Sequence, residues 1–316
     1  MTKASKKKAK PALHRDAYPV GRVSTEFFLR SFELIGQLHD DIVSCLVIVT
    51  LWHDALAETG RRKPMGVREL SRRLDLPFET VRRHVRKLVR SGACAVEGDG
   101  IALAATMRRS ARMTDALRKI YLHAIRMLGD LRRIEIVNYR PRRSPSPGSR
   151  QLDKEQTIIA VAALGVLLAA MKVLRDHFGG DLVNGLVFTA IRAANVKHVT
   201  NTAPAANRGI LPDSDRLPVS VMAISDSMRL PYETVRRHAR KLVRDGKCVR
   251  VGRQGLVAPE RAFREMTAQA EAVLRLVQDF LAELRAAGVK SDTPFQSTAR
   301  GRTGTERLTQ FGERDA

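Results

Sequence analysis

One stretch of this chain occurs twice. Leu76-Pro77-Phe78-Glu79-Thr80-Val81-Arg82-Arg83-His84-Val85-Arg86-Lys87-Leu88-Val89-Arg90-Ser91-Gly92 returns as Leu230 to Gly246, with changes only at Tyr232, Ala239 and Asp245. From Phe78 to Ser91 it reads as a short helix closed by Gly92, because glycine takes the left-handed conformation at a helix end without steric cost. On a wheel advancing about 100° per residue, Val81, Val85, Leu88 and Val89 fall on one side. Glu79, Arg83, Arg86, Lys87 and Arg90 fall on the other, with Arg82 and His84 on the flanks. A helix that buries one narrow apolar stripe and turns guanidinium groups outward has the shape and donors to enter a major groove. A merely solvated basic face looks the same in one copy. Solvation alone, however, does not require the same face twice.

Charge agrees with that reading. The net charge is +23 over 316 residues and the pI is about 10.9, which calls for a polyanionic partner: nucleic acid first, an anionic membrane surface second. Aromatic residues are only 5% of the chain, so stacking platforms for single strands or RNA are poorly supplied. Cys45, Cys94 and Cys248 are odd in number and lack CxxC spacing, which argues against a disulfide framework or a zinc site. Cys94 and Cys248 stand two residues after the closing glycine of each copy and read as small buried side chains. The lysines at the N-terminus precede no apolar run, so no secretory signal is expected. The longest apolar run, Ile158 to Met171, is 14 residues, short of the roughly 20 needed to span a bilayer. It reads as a buried core helix, and the protein as cytoplasmic and nucleoid-associated, with no membrane partner.

The surroundings of the two copies also correspond. Residues 1–15 form a basic arm with too little apolar content to fold, and 16–138 a first repeat. Residues 139–151, rich in arginine, serine and proline, form a linker. Residues 152–288 form a second repeat and 289–316 a polar, disordered tail. In the first repeat, helices are expected from about Ser24 to Thr59 in two segments, the second (Ile42 to Trp52) buried because it is apolar all round. Val67, Leu70 and Leu74 have helical spacing; Asp75-Leu76-Pro77 turns the chain into the basic helix; a β-hairpin follows about Gly98-Asp99-Gly100. A long helix from about Thr114 to Val137 has apolar steps of three and four that suit a partner helix, the route for a possible homodimer. The second repeat echoes each part. Asp181-Leu182-Val183 answers Asp41-Ile42-Val43, Val221, Ile224 and Met228 answer 67, 70 and 74, and Gly252 to Gly255 marks a second hairpin.

Helix, tight turn, basic helix and hairpin in this order resemble the winged helix-turn-helix of bacterial transcription regulators, over residues 66–104 and 220–258. The Glu-Thr-Val-x-Arg core is similar to the recognition helix of cyclic-AMP-receptor-type activators and, more loosely, of GntR-type repressors. The expected fold class is therefore mainly α with two small β-hairpin wings, as tandem modules flanked by long helices: an internal duplication acting as a pseudo-dimer. The resemblance implies that Glu79 and Arg83, and Glu233 and Arg237, read base edges. Where that family carries arginine before the glutamate, this chain has Phe78 or Tyr232, so the target sequence does not carry over. No cyclic-nucleotide β-roll precedes either copy, so the ligand does not carry over either.

Geometry supplies further candidates. Thr80 and Thr234 lie in the first turn, where a hydroxyl can donate to phosphate. Arg82, Arg86, Lys87 and Arg90, with Arg236, Arg240, Lys241 and Arg244, extend along the face. The wings differ in sign: Glu97 and Asp99 in the first, Lys247, Arg250 and Arg253 in the second, so the second suits phosphates better. His84 and His238 read as buried or phosphate-facing. No catalytic constellation, cofactor motif or metal ligand set stands out, and an enzyme is not expected. The expected partner is double-stranded DNA, read by helices 78–91 and 232–245 in adjacent major grooves. Two other functions fit the same modules: a plasmid-type replication initiator and a sequence-independent architectural DNA-binding protein.

Overall fold

The computed structural model describes residues 14–57, 64–139, 151–199, 209–253 and 255–289. Most of the expected basic arm, linker and tail, and part of the long 200–218 loop, lie outside them. Within them the chain is mainly helical with two small antiparallel sheets.

The first copy runs α1 (Ala17–Gly36), α2 (Ile42–Ala57), α3 (Val67–Leu74), α4 (Phe78–Arg90), β1 (Cys94–Glu97), β2 (Gly100–Leu103), α5 (Ala105–Arg108) and α6 (Ala111–Arg133). The second runs α7 (Lys154–His177), α8 (Leu182–Asn195), β3 (Val219–Ser220), α9 (Val221–Met228) and α10 (Tyr232–Arg244). It closes with β4 (Val249–Val251), β5 (Gly255–Val257), α11 (Glu260–Glu265) and α12 (Thr267–Ala286). Among the described residues the order of elements is the same but for β3 and the short 3-10 helix Asp213–Asp215 before it.

Three boundaries differ from the sequence reading. Helix α1 begins at Ala17 rather than near Ser24, because Pro19 sits in its first turn, where an absent N–H breaks no hydrogen bond. Helix α6 starts at Ala111, where the Ser110 hydroxyl caps the Met113 N–H at 3.3 Å, and stops at Arg133 instead of Val137. There Glu135 adopts φ 61° and the Ile136 N–H returns to the Leu131 carbonyl at 3.0 Å, so Ile134 and Val137 are buried off the helix. The second hairpin gains a third strand, with Val219 opposite Leu256. Its counterpart in the first copy is a single bridge, Met65 opposite Ile101.

The four long helices close a ring: α1 packs on α6, α6 on α7, α7 on α12 and α12 on α1. Helix α2 packs on α4 of its own copy and on α7 of the other; α8 packs likewise on α10 and α1. One hydrophobic core therefore runs through both copies, including Trp52, Leu131, Leu164, Phe188 and Phe280. Helix α7 is long and apolar enough to cross a membrane by length and composition, and half of its most apolar window is buried against the protein. All three cysteines are buried.

Cross-copy contacts have opposite polarity at matching places. The residue ending α3, Asp75 (φ 53°), meets Arg175 of α7, whose other guanidinium arm donates to the Leu74 carbonyl at 2.8 Å. The residue ending α9, Arg229 (φ 51°), donates to Glu33 of α1 at 3.0 Å. Each basic-helix unit is thus clipped to the first long helix of the other copy, acid-to-base on one side and base-to-acid on the other.

Candidate nucleic-acid interface

Each basic helix is held by three devices that its sequence repeats. Pro77 and Pro231 occupy the N-cap positions, with ψ 135° and 133°. In the turn before them, the Ser71 hydroxyl donates to the Leu76 carbonyl and the Ser225 hydroxyl to the Leu230 carbonyl, both at 2.7 Å. The inner stripe is Val81, Val85 and Leu88 in α4, and Val235, Ala239 and Leu242 in α10, none more than 3% exposed. Val89, placed in that stripe by the wheel, lies at its edge and is half-buried.

A carboxylate at the start of the buried helix behind fixes the rotation of each basic helix. Asp41 accepts from the Ser44 N–H at 2.7 Å; His84 Nδ1 approaches it to 2.9 Å and Lys87 Nζ to 3.1 Å. Asp181 accepts from the Asn184 N–H at 3.0 Å; Lys241 Nζ lies at 2.8 Å and His238 Nδ1 at 3.7 Å. Burial alone would raise the Asp41 carboxyl, but hydrogen bonds from Ser44 and Lys87 outweigh it and hold it at about 2. Asp181 is lowered by the same balance. The Asp41/Asp181 echo was legible in the sequence. Its partner was not, because an aspartate 46 or 60 residues before the lysine it holds carries no local sign that it faces the basic helix.

The outward faces sort into paired and unpaired cations. Arg82 is tied to Glu79 at 3.0 Å and Arg236 to Glu233 at 2.5 Å, while Lys87 and Lys241 are held by the aspartates. Arg244 meets Asp245 at 3.3 Å. Arg83, Arg86, Arg90, Arg237 and Arg240 are exposed, and no ion pair is found for them among the described residues. Thr80 and Thr234 are half-buried in the first turn. A shallow open depression on α10 is lined solely by Glu233, Thr234, Arg236, Arg237, Arg240, Lys241 and Arg244. Since all belong to one helix, it is that helix's outer surface and not a cleft.

The two hairpins differ in charge. Arg250 and Arg253 are exposed at the second, Glu97 and Asp99 at the first. Val96 and Val251 project beside them, 62% and 45% exposed. A side chain at Gly100 would place its Cβ 2.6 Å from Pro64, and one at Gly255 would lie 2.6 Å from Pro218, so both hairpins need glycine where they pass the segment before α3 or α9. Asn195, at the end of α8, holds the second hairpin: its amide donates to Leu217 and Leu256 carbonyls at 2.7 and 2.9 Å and accepts from the Ala258 N–H at 2.9 Å. Phe78 and Tyr232, 38% and 41% exposed, open the two basic helices.

Comparison with known protein families, curated proteins and solved structures finds no match.

The histidines yield a pH prediction. Burial pushes His53, His84, His123, His177 and His238 below the usual histidine range, His123 to about 4. The unfolded chain takes up protons near pH 6.5 while these folded sites resist. Stability is therefore fully present above that pH and falls as pH drops from about 6.5 toward the lower folded values. The depressed Asp41 and Asp181 add their loss only below about pH 4. Thermal melting from pH 7.5 to 4.5 should show the midpoint falling through this window; a constant midpoint would mean that these rings are not held neutral.

Proposed function

We propose that this chain is a sequence-specific double-stranded DNA-binding transcription regulator built from two tandem winged helix-turn-helix modules in pseudo-dimer arrangement. The observation that carries the reading is the matched pair of exposed arginine faces on helices whose opposite sides are buried. Arginine reads guanine through paired bonds to O6 and N7, and glutamate accepts from cytosine N4. In the free protein Glu79 and Glu233 hold Arg82 and Arg236. An exposed pair of this kind contributes about 0–1 kcal/mol, so a cytosine amino group can displace it at little cost.

Arg83 and Arg237 serve as base readers, with Arg86, Arg90 and Arg240 further along the groove. Arg82, Arg236 and Arg244 supply charge beside the phosphates, and Lys87 and Lys241 chiefly orient their helices. Arg250 and Arg253 give the second wing a phosphate grip that the acidic first wing lacks. Two modules reading one face of B-form DNA are expected about 34 Å apart, one helical turn.

The test is binding of the full chain to duplex DNA by fluorescence anisotropy across a salt series. Affinity should fall linearly on a log–log plot, with a slope near 0.9 per phosphate neutralised. Arg250→Ala with Arg253→Ala should reduce that slope by about 1–2 and weaken all sequences alike. Salt-independent binding, or none at low salt, contradicts the proposal.

A further inference from the structure

We propose that Arg22, Arg192 and Arg216 form a binding site for a phosphate group, at the seam where α1 of the first copy meets α8 and α11 of the second. Arg192 and Arg216 share the Phe263 ring, and Arg22 lies on the face of α1 that carries Tyr18 and Thr25, the first packed on that ring and the second bonded by Arg192. The Arg216 side chain is 0% exposed and its guanidinium carbon lies 4.0 Å from the centre of the Phe263 ring. Arg192 approaches the same ring at 5.7 Å. Tyr18 packs edge-on against that ring at 6.3 Å.

Their neutral partners are few. Arg192 donates to the Thr25 hydroxyl at 2.6 Å, and Arg216 to the Leu211 carbonyl at 2.7 Å. Among the described residues the one carboxylate in ion-pair range is Asp213, 3.4 Å from Arg216 Nε, with Glu260 acting on the same group from further off. It is 60% exposed and already accepts from the Glu260 N–H at 2.6 Å. Arg22 Nε and Nη2, and Arg216 Nε and Nη1, are buried with no hydrogen-bond partner among the described residues. A guanidinium cannot shed its proton in a protein, and a buried charge without a counterion is strongly unfavourable. Burial lowers the proton affinity of all three groups, which is the same cost seen from the other side.

The other copy shows that the fold does not need charge at the places of Arg22 and Arg192. Counting from Asp41 and Asp181, the places of Arg192, Arg22 and Tyr18 are taken by Trp52, Ala162 and Ile158. Trp52 and Ala162 are 2% and 1% exposed, and Ile158 packs against the same core. An apolar solution exists at the equivalent places of Arg22 and Arg192, so the charge at this seam points to a ligand. The forked donors of guanidinium groups suit the oxygens of a phosphate dianion, whether inorganic phosphate or a phosphate ester.

The inference does not rest on DNA binding, and its test reads stability. Full-length protein is melted in increasing inorganic phosphate, with chloride at equal ionic strength as reference. The expected result is a midpoint rise of about 2–4 °C per tenfold phosphate above the dissociation constant, absent in chloride. Arg216→Leu and Arg192→Leu should abolish the rise. So should Arg22→Gln, a milder change because Arg22 makes no hydrogen bond through its buried nitrogens. Arg83→Ala with Arg237→Ala should keep it, since those residues lie on the outer helix faces. A rise that survives all three cluster substitutions, vanishes with the outer-face pair, or is matched by acetate overturns the assignment.

Discussion

Arg83→Ala combined with Arg237→Ala is expected to lower affinity for a selected duplex by roughly 30-fold to 10⁴-fold, with a much smaller loss on random duplex. Each guanidinium that bonds a guanine in paired fashion contributes about 1–3 kcal/mol of discrimination. The two sites lie in separate modules, so the terms should add. Neither arginine carries an intramolecular ion pair among the described residues, and both are exposed. The fold should therefore change by no more than about 0.5 kcal/mol, and circular dichroism of the double variant should match the parent. Lys87→Ala or Lys241→Ala should behave otherwise. Each removes a cation from a partly buried aspartate, so helix placement suffers along with charge. Equal losses on selected and random DNA for the arginine pair would remove both from base reading.

The second large effect concerns the shared core. Phe188 in α8 is 0% exposed, with its ring 5.5 Å from that of Phe178. Phe188→Ala removes a fully buried ring and leaves a cavity, a change of about 3–5 kcal/mol against a typical total of about 5–15 kcal/mol. The sole tryptophan, Trp52, lies in the other copy, buried in α2. Because α1 and α7 each pack on elements of both copies, Trp52 fluorescence in denaturant should shift its midpoint together with far-UV circular dichroism. Leu122→Ala, at a residue 38% exposed, should move neither by much. A Phe188→Ala protein whose Trp52 transition stayed in place would mean that the copies unfold separately.

The parts of this molecule legible in the sequence are those set by local chemistry. Helix α4 was readable because its apolar stripe, its proline start and its glycine stop lie within one short stretch. The hairpin at Gly98 was readable because its turn needs positive φ, and Gly98 has φ 59°. Helix α2 is apolar on every side, and burial from Ser44 to Trp52 follows directly. What escaped depends on partners distant in sequence. The apolar steps of α6 identify a packing face but not α1 and α7 as the helices that meet it. The two-residue strand β3 exists only because β5 lies beside it. The end of α6 was misplaced because a glutamate, not a glycine, takes the left-handed position there. At the candidate interface, composition gave no means to divide the cations into free and held ones. That division depends on Asp41 and Asp181, and it separates Arg83 from Lys87 although both lie on one wheel face.

Selection from a random duplex library with the full chain, followed by sequencing, tests the central claim most directly. The account predicts an enriched site with two short elements whose centres are about 10–10.5 base pairs apart or a multiple of that. Arg83→Ala should blur one element and Arg237→Ala the other. A bound pool with no enriched sequence, or one unchanged by either substitution, would contradict it.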